Sequence, residues 1–195
     1  MDRRGASLLG SIAFFCVAPA TVAGWVPWML TRWSSEPPLL GVSAGRWLGG
    51  ALVGAGVIVV IECFARFALE GQGTPAPVAP TESLVVSGLY RHVRNPMYVG
   101  VVAAILGQAL LFGSLVLLEY AALVWLAFFA FVVLYEEPTL YRRFGPAYED
   151  YRAHVRRWWP RITPWAGPSA TIHDGPTKRR VHNRHQFIGG NNEGL

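Results

Sequence analysis

The stretch Ser87-Gly88-Leu89-Tyr90-Arg91-His92-Val93-Arg94-Asn95-Pro96-Met97-Tyr98-Val99-Gly100 decides how the chain reads. Its first half is polar, cationic and aromatic. Its second half opens an apolar segment, Asn95 to Leu118, that contains no charge. About 20 such residues in a helix cross the hydrocarbon core of a bilayer. Two arginines, a histidine, an asparagine and two tyrosines therefore stand where a membrane helix begins. From these residues alone, two readings are open. One is an interfacial anchor, with arginines against lipid phosphates and tyrosines in the aromatic belt. The other is a set of polar groups held at the mouth of a helix for chemistry.

Composition supports a membrane setting. The 195 residues are 52% hydrophobic and only 15% charged, well below the quarter usual in soluble domains. The mean hydropathy is +0.31. A net charge of +5 could suit nucleic acid, but the arginines flank apolar runs and fit the positive-inside bias. No zinc spacing or RNA-binding motif accompanies them, so nucleic acid is set aside as a partner, and the bilayer takes its place. Cys16 and Cys63 both fall inside apolar segments and read as small buried hydrophobes, not as a disulfide.

Arg3 and Arg4 precede an uncharged run from Gly5 to Thr31, closed by Arg32. Pro19 and Pro27 are expected to kink it. Thr21-Val22-Ala23 resembles a signal-peptide cleavage site, but the apolar run continues well beyond it, which favours a span. Glu36-Pro37-Pro38 marks a loop. A second apolar run, Val42 to Leu69, carries Gly45-x-x-x-Gly49 and Gly50-x-x-x-Gly54, a spacing that lets helices approach closely in lipid. Intramolecular packing is the expected use, with a homodimer face as the weaker alternative. Glu62 and Arg66, four apart, should pair. Proline and glycine over Glu70–Glu82 mark a loop.

After Asn95–Leu118, the break Phe112-Gly113-Ser114 and the renewed apolar run to Tyr135 predict two helices joined by a tight turn. Glu119 then falls near that turn, close to water. The run ends in a second motif, Glu136-Glu137-Pro138-x-Leu140-x-x-x-Phe144-Gly145-x-x-Tyr148-x-x-Tyr151. Tyr148, Tyr151, Val155 and Trp158 recur at helical spacing and predict an interfacial segment. The expected fold is an all-α integral membrane protein. Its four transmembrane helices lie near 7–30, 43–69, 96–112 and 115–135, with a tight last hairpin and an interfacial C-terminal helix at 138–159. The arginine distribution puts both termini on the cytoplasmic side, in a bacterial-type inner or plasma membrane. Residues 166–195 read as a disordered basic tail, in which His182-x-x-His185 is too slight for a metal site.

The two motifs together resemble the integral-membrane methyltransferases that include isoprenylcysteine carboxyl methyltransferase and phosphatidylethanolamine N-methyltransferase. The resemblance covers Glu70 to Pro164 and makes 1–165 the methyltransferase domain. It implies S-adenosylmethionine as cofactor, bound between the last two spans and the interfacial segment. The implied contacts are Glu82, Ser83, Leu84, Val85, Tyr90, Asn95, Pro96, Met97, Tyr98 and Glu136. Arg94 or Arg91 suits the cofactor's carboxylate, and Tyr90 and Tyr98 offer ring faces to adenine or the sulfonium. Gly71 and Gly73 are candidates for the Gly-x-Gly of the phospholipid enzymes. Glu137 is the expected catalytic residue, taking a proton where the acceptor is an amine. The implied acceptor is a lipid-like or small hydrophobic molecule reaching the site laterally from the bilayer. Asn95 stands where the carboxyl methyltransferases have histidine, and Val132 where they have a substrate-binding arginine. Both departures lean toward the phospholipid enzymes. A reductase using NADPH, similar to the sterol reductases, and a non-catalytic scaffold are the alternatives.

Overall fold

The computed structural model describes residues 17–70, 84 and 86–167. The beginning of the first expected span, the loop at 71–83 and all but the first two residues of the expected tail lie outside them. So do Cys16, Gly71, Gly73, and Glu82, Ser83 and Val85 of the expected cofactor set. Among the described residues the chain is helical, without strands. Helix α1 covers 17–31, α2 Ala44–Glu70, α3 Pro96–Phe112 and α4 Leu115–Phe131, followed by α5 Glu137–Phe144 and α6 Pro146–His154. A π turn, Val132–Glu136, makes α4 and α5 one continuous run.

Among the described residues two helices are long and apolar enough to cross a membrane: Ala44–Arg66 within α2, and Leu115–Phe144, while α3 is shorter. Only 28% and 22% of their apolar windows are buried inside the protein. Side chains such as Ile58, Leu123 and Leu126 remain exposed. Helices so apolar on their outward faces need an apolar surrounding, not a shared core alone. What core there is forms where α2, α3 and α4 meet, around Val60, Phe64, Val101, Ile105, Ala121 and Val124.

Close approach of α2 and α3 depends on four glycines. A Cβ on Gly56 would lie 2.5 Å from Gly100 O and 2.8 Å from Ala104 N, and one on Gly49 would lie 2.7 Å from Gly107 O. Gly49 and Gly56, seven apart, thus meet Gly107 and Gly100, seven apart on the antiparallel partner. Gly45, Gly50 and Gly54 have nothing within 4 Å. The glycine motif does serve intramolecular packing, but along the 49/56 face, because the seven-residue repeat and not the four-residue one follows the line of contact.

Prolines do not break the helices in which they sit. Pro27 and Pro138 each follow a five-residue π turn, Thr21–Trp25 and Val132–Glu136, by two positions. Proline has no N–H, so the carbonyl four residues earlier loses its helical partner. In α1 that carbonyl, Ala23 O, accepts from Gln108 Nε2 at 2.7 Å, and Val22 O accepts from Tyr120 Oη at 3.0 Å. The turn ahead of Pro27 is a docking point that fastens α1 to α3 and α4. Gln108 Oε1 also accepts from Trp33 Nε1 at 3.1 Å.

At the other end, Gly113 (φ +74°) ends α3 and Ser114 caps α4, accepting from Leu117 N at 3.4 Å. A two-residue connection between helices of 17 residues each returns the chain to the level at which α3 began. Beyond Glu137 the segment read as one interfacial helix is two short helices, divided at Gly145 (φ +49°), and it ends at His154. Residues 155–166 then form an irregular strap laid across the start of α3.

Candidate active site

Asn95 precedes Pro96, which opens α3 at a position where its missing N–H costs no helical bond. The π turn before Pro138 carries Glu136, and Glu137 begins α5. The two motifs converge here. Tyr98 Oη donates to Glu136 Oε2 at 2.8 Å, and Arg94 Nη1 lies 3.1 Å from Glu137 Oε1. The arginine–asparagine–tyrosine rim of α3 thus meets the twin-acid rim of its helical partner side by side. Tyr98 also packs its ring 4.7 Å from that of Phe128, so the Glu136 carboxylate stands beside aromatic faces.

Glu137 is more heavily engaged than a base awaiting a proton. Arg157 grips it with both arms, Nε to Oε1 at 2.6 Å and Nη2 to Oε2 at 2.7 Å. With Arg94 added, both carboxylate oxygens face guanidinium groups, and only 9% of the residue is exposed. Such bidentate, charge-assisted pairs are among the strongest polar contacts a protein makes. The hydrogen bond to Glu137 holds the Arg157 guanidinium above its already high pKa. Arg94 further donates to Tyr148 Oη at 3.2 Å. Burial raises the Tyr148 phenol above its ordinary pKa, and the same cause raises Tyr90, so both stay neutral at physiological pH. Arg94 Nε is buried and has no acceptor.

The strap is hydrogen-bonded to the mouth of α3 along its length. Arg94 N donates to Arg156 O, Arg161 N to His92 O and Trp165 N to Arg91 O, at 2.9 to 3.0 Å. Asn95 Nδ2 donates to Arg157 O at 3.1 Å, and His92 Nδ1 lies 2.8 Å from Arg161 O. Tyr151 Oη donates to Tyr90 O at 2.7 Å. A second apolar cluster, Tyr148, Tyr151, Val155 and Trp165, with Leu84 against it, anchors strap and short helices together. Cys63 is buried, as expected, and faces Tyr90.

Of the expected site residues, Tyr90, Arg94, Asn95, Tyr98, Glu136 and Glu137 fall in this one region, with Pro96 and Met97 at the first turn of α3 and Leu84 at the strap's apolar cluster. Arg157 is the residue that sequence reasoning missed. It lies in a polar stretch with two other arginines, and no spacing relates it to Glu137. A cleft of about 760 Å³ opens beyond the turn Gly88–Arg91, lined by Glu62, Arg66, Ser87, Arg91, His92 and Pro164 among others. Glu136 and Glu137 do not line it. Glu62 and Arg66 pair as expected, at 2.9 Å. Among the described residues no group of three or more histidines, cysteines or carboxylates could hold a metal.

Comparison with known proteins bears on these motifs. The Schizosaccharomyces pombe protein-S-isoprenylcysteine O-methyltransferase is 39% identical over 79 residues, 40% of this chain and 34% of that protein. Its Rattus norvegicus counterpart is 33% identical over 120 residues, 57% of this chain and 42% of that protein. The chain thus spans between a third and a half of the length of these curated relatives. No solved structure matches it significantly. The family described as phospholipid methyltransferase matches residues 44–147, from α2 through the start of α6 and so across both motifs. By that match, which covers just over half of its 195 residues, the chain belongs to the phospholipid methyltransferase family.

Proposed function

We propose that the chain catalyses S-adenosylmethionine-dependent methyl transfer to a lipid-like or small hydrophobic acceptor at the membrane interface. The observation that carries this reading is the meeting of the two motifs, Tyr98 with Glu136 and Arg94 with Glu137, at the same end of adjacent helices. In this reading α1 to α4 are four spans, α3 and α4 form a tight hairpin, both termini are cytoplasmic, and α5, α6 and the strap lie on the interface. The reductase and scaffold alternatives have no comparable support, since the matched family and both relatives are named for methyl transfer.

The side chains suit the cofactor's charges. Bound there, S-adenosylmethionine supplies an electrophilic methyl on a sulfonium. The Glu136 carboxylate, beside the Tyr98 and Phe128 rings, would receive a cation or hydroxyls. Arg94 Nε, a buried donor without an acceptor, would receive a carboxylate. Tyr90, Asn95, Pro96 and Met97 would complete the wall, with Glu82, Ser83, Leu84 and Val85 contributed by the preceding segment. The chain's part in the chemistry is alignment and exclusion of water, which an in-line displacement chiefly requires. Val132, fully buried, occupies the place of the carboxylate-binding arginine, so the reading favours an acceptor recognised by its apolar chain over one held by an ion pair.

Isothermal titration of the solubilised protein with S-adenosylmethionine tests this. Saturable binding that is lost in Glu136→Ala is expected, and no binding by the intact chain would overturn the reading. Incubating membranes with methyl-labelled cofactor and analysing the extracted lipid identifies the acceptor.

A further inference from the structure

We infer that Glu137 is a positioning residue, the keystone of a lock formed with Arg94 and Arg157 that fastens the 155–166 strap over the mouth of α3. The inference rests on the proposed cofactor site for its functional half alone. Three observations carry it. First, both oxygens of Glu137 are taken by guanidinium groups, at 2.6, 2.7 and 3.1 Å. Second, the partners come from three separate places in the chain: Arg94 from the turn before α3, Glu137 from the start of α5, and Arg157 from the strap. Third, the backbone at each arginine is bonded to the other segment: Arg94 N donates to Arg156 O, and Arg157 O accepts from Asn95 Nδ2.

Removing the carboxylate therefore does more than delete an acid. It leaves two nearby cations with nothing between them and withdraws the ion pair that ties the strap to the start of α5. Arg94 and Asn95, both expected to touch the cofactor, lose their fixed orientation together. Glu137 thus acts through its neighbours: Arg94 is held with Nη1 on Glu137 and Nε free for a ligand, and Asn95 is held with its amide on the strap.

Hydrogen exchange read by mass spectrometry on the solubilised full chain tests the lock without cofactor. Glu137→Gln and Arg157→Met are each expected to speed exchange in peptides covering 91–95 and 155–166 at least tenfold, and the double variant no further. Arg157→Lys, which keeps the charge, should stay within about threefold of the parent. Peptides from the α2–α3 crossing report whether each variant is folded, and where Glu137→Gln fails that control, the two Arg157 variants decide. With S-adenosylmethionine, Glu137→Gln and Arg157→Met should weaken binding by a similar factor, at least fivefold. In labelled-methyl transfer to membrane lipid they should raise the apparent KM for the cofactor and leave the saturated rate within threefold. Unchanged strap exchange in folded Arg157→Met overturns the lock. A saturated rate lost in Glu137→Gln but kept in Arg157→Met overturns the positioning role in favour of a proton acceptor. If the parent chain binds no cofactor, the proposed function fails, while strap exchange still decides the lock.

Discussion

Gly56 offers the sharpest test of how α2 and α3 are held. A methyl added there would stand 2.5 Å from Gly100 O and 2.8 Å from Ala104 N, both backbone atoms that no side-chain rotation can move. Normal C···O contact begins near 3.3 Å, so Gly56→Ala requires the helices to part by roughly 0.8 Å. A gap of that size forfeits a quarter to a half of each dispersion contact, itself worth about 0.1–0.2 kcal/mol. Over ~40 atom pairs, as many as one buried leucine makes, the loss is about 2 kcal/mol. The gain from alanine's better helix propensity, up to about 1 kcal/mol, only partly offsets it. Gly54→Ala supplies the control, because a Cβ there meets nothing within 4 Å and keeps the whole propensity gain. The two variants should therefore differ by about 2 kcal/mol, with Gly54→Ala at or above the parent. Unfolding in mixed micelles with rising SDS, followed by circular dichroism, measures the difference. Equal midpoints, or a Gly56→Ala chain more stable than Gly54→Ala, would refute the argument.

Tyr98→Phe removes the only described hydrogen bond to Glu136 and is expected to weaken cofactor binding about tenfold or more, as hydrogen bonds to charged groups are worth roughly 1.5–3 kcal/mol; titration calorimetry checks it. Gln108→Leu strips Ala23 O and Trp33 Nε1 of their partner, at a cost of about 1–3 kcal/mol. It should speed hydrogen exchange in α1 before the rest of the fold. Gly88→Ala combines a left-handed backbone (φ +52°) with a collision against the Glu62 carboxylate. It should lower the thermal midpoint and, by shifting the turn that carries Tyr90, weaken cofactor binding with it.

The fold and the site were legible to different depths. The boundaries of α3 and α4 could be read from Asn95-Pro96 and Phe112-Gly113-Ser114, because a proline start and a glycine stop are local chemistry. Equal helix lengths then bring the start of α3 level with the end of α4 and Tyr98 beside Phe128, while the last turns to Glu136 are spanned by the Tyr98 and Glu136 side chains. The face along which α2 packs was not legible, since glycines lie on several sides and only the partner selects among them. The Glu137–Arg157 pair was hidden for a related reason. It depends on the turn at Gly145, the stop at His154 and the irregular course of the strap, none of which follows a period. A charged pair twenty positions apart carries no local mark, so Glu137 reads as a free acid until the tertiary structure supplies its partners.

The π turn ahead of Pro138 has one more effect. Leu115–Phe144 is a single unbroken helical run. Its two ends nevertheless differ in phase by one inserted residue, which in a helix of 3.6 residues per turn amounts to about 100° of azimuth. Where the acids aim is therefore set apart from how the apolar part of the run is oriented. Deleting Val133 would leave the apolar surface below nearly untouched while swinging Glu136 and Glu137 about a quarter-turn away from α3.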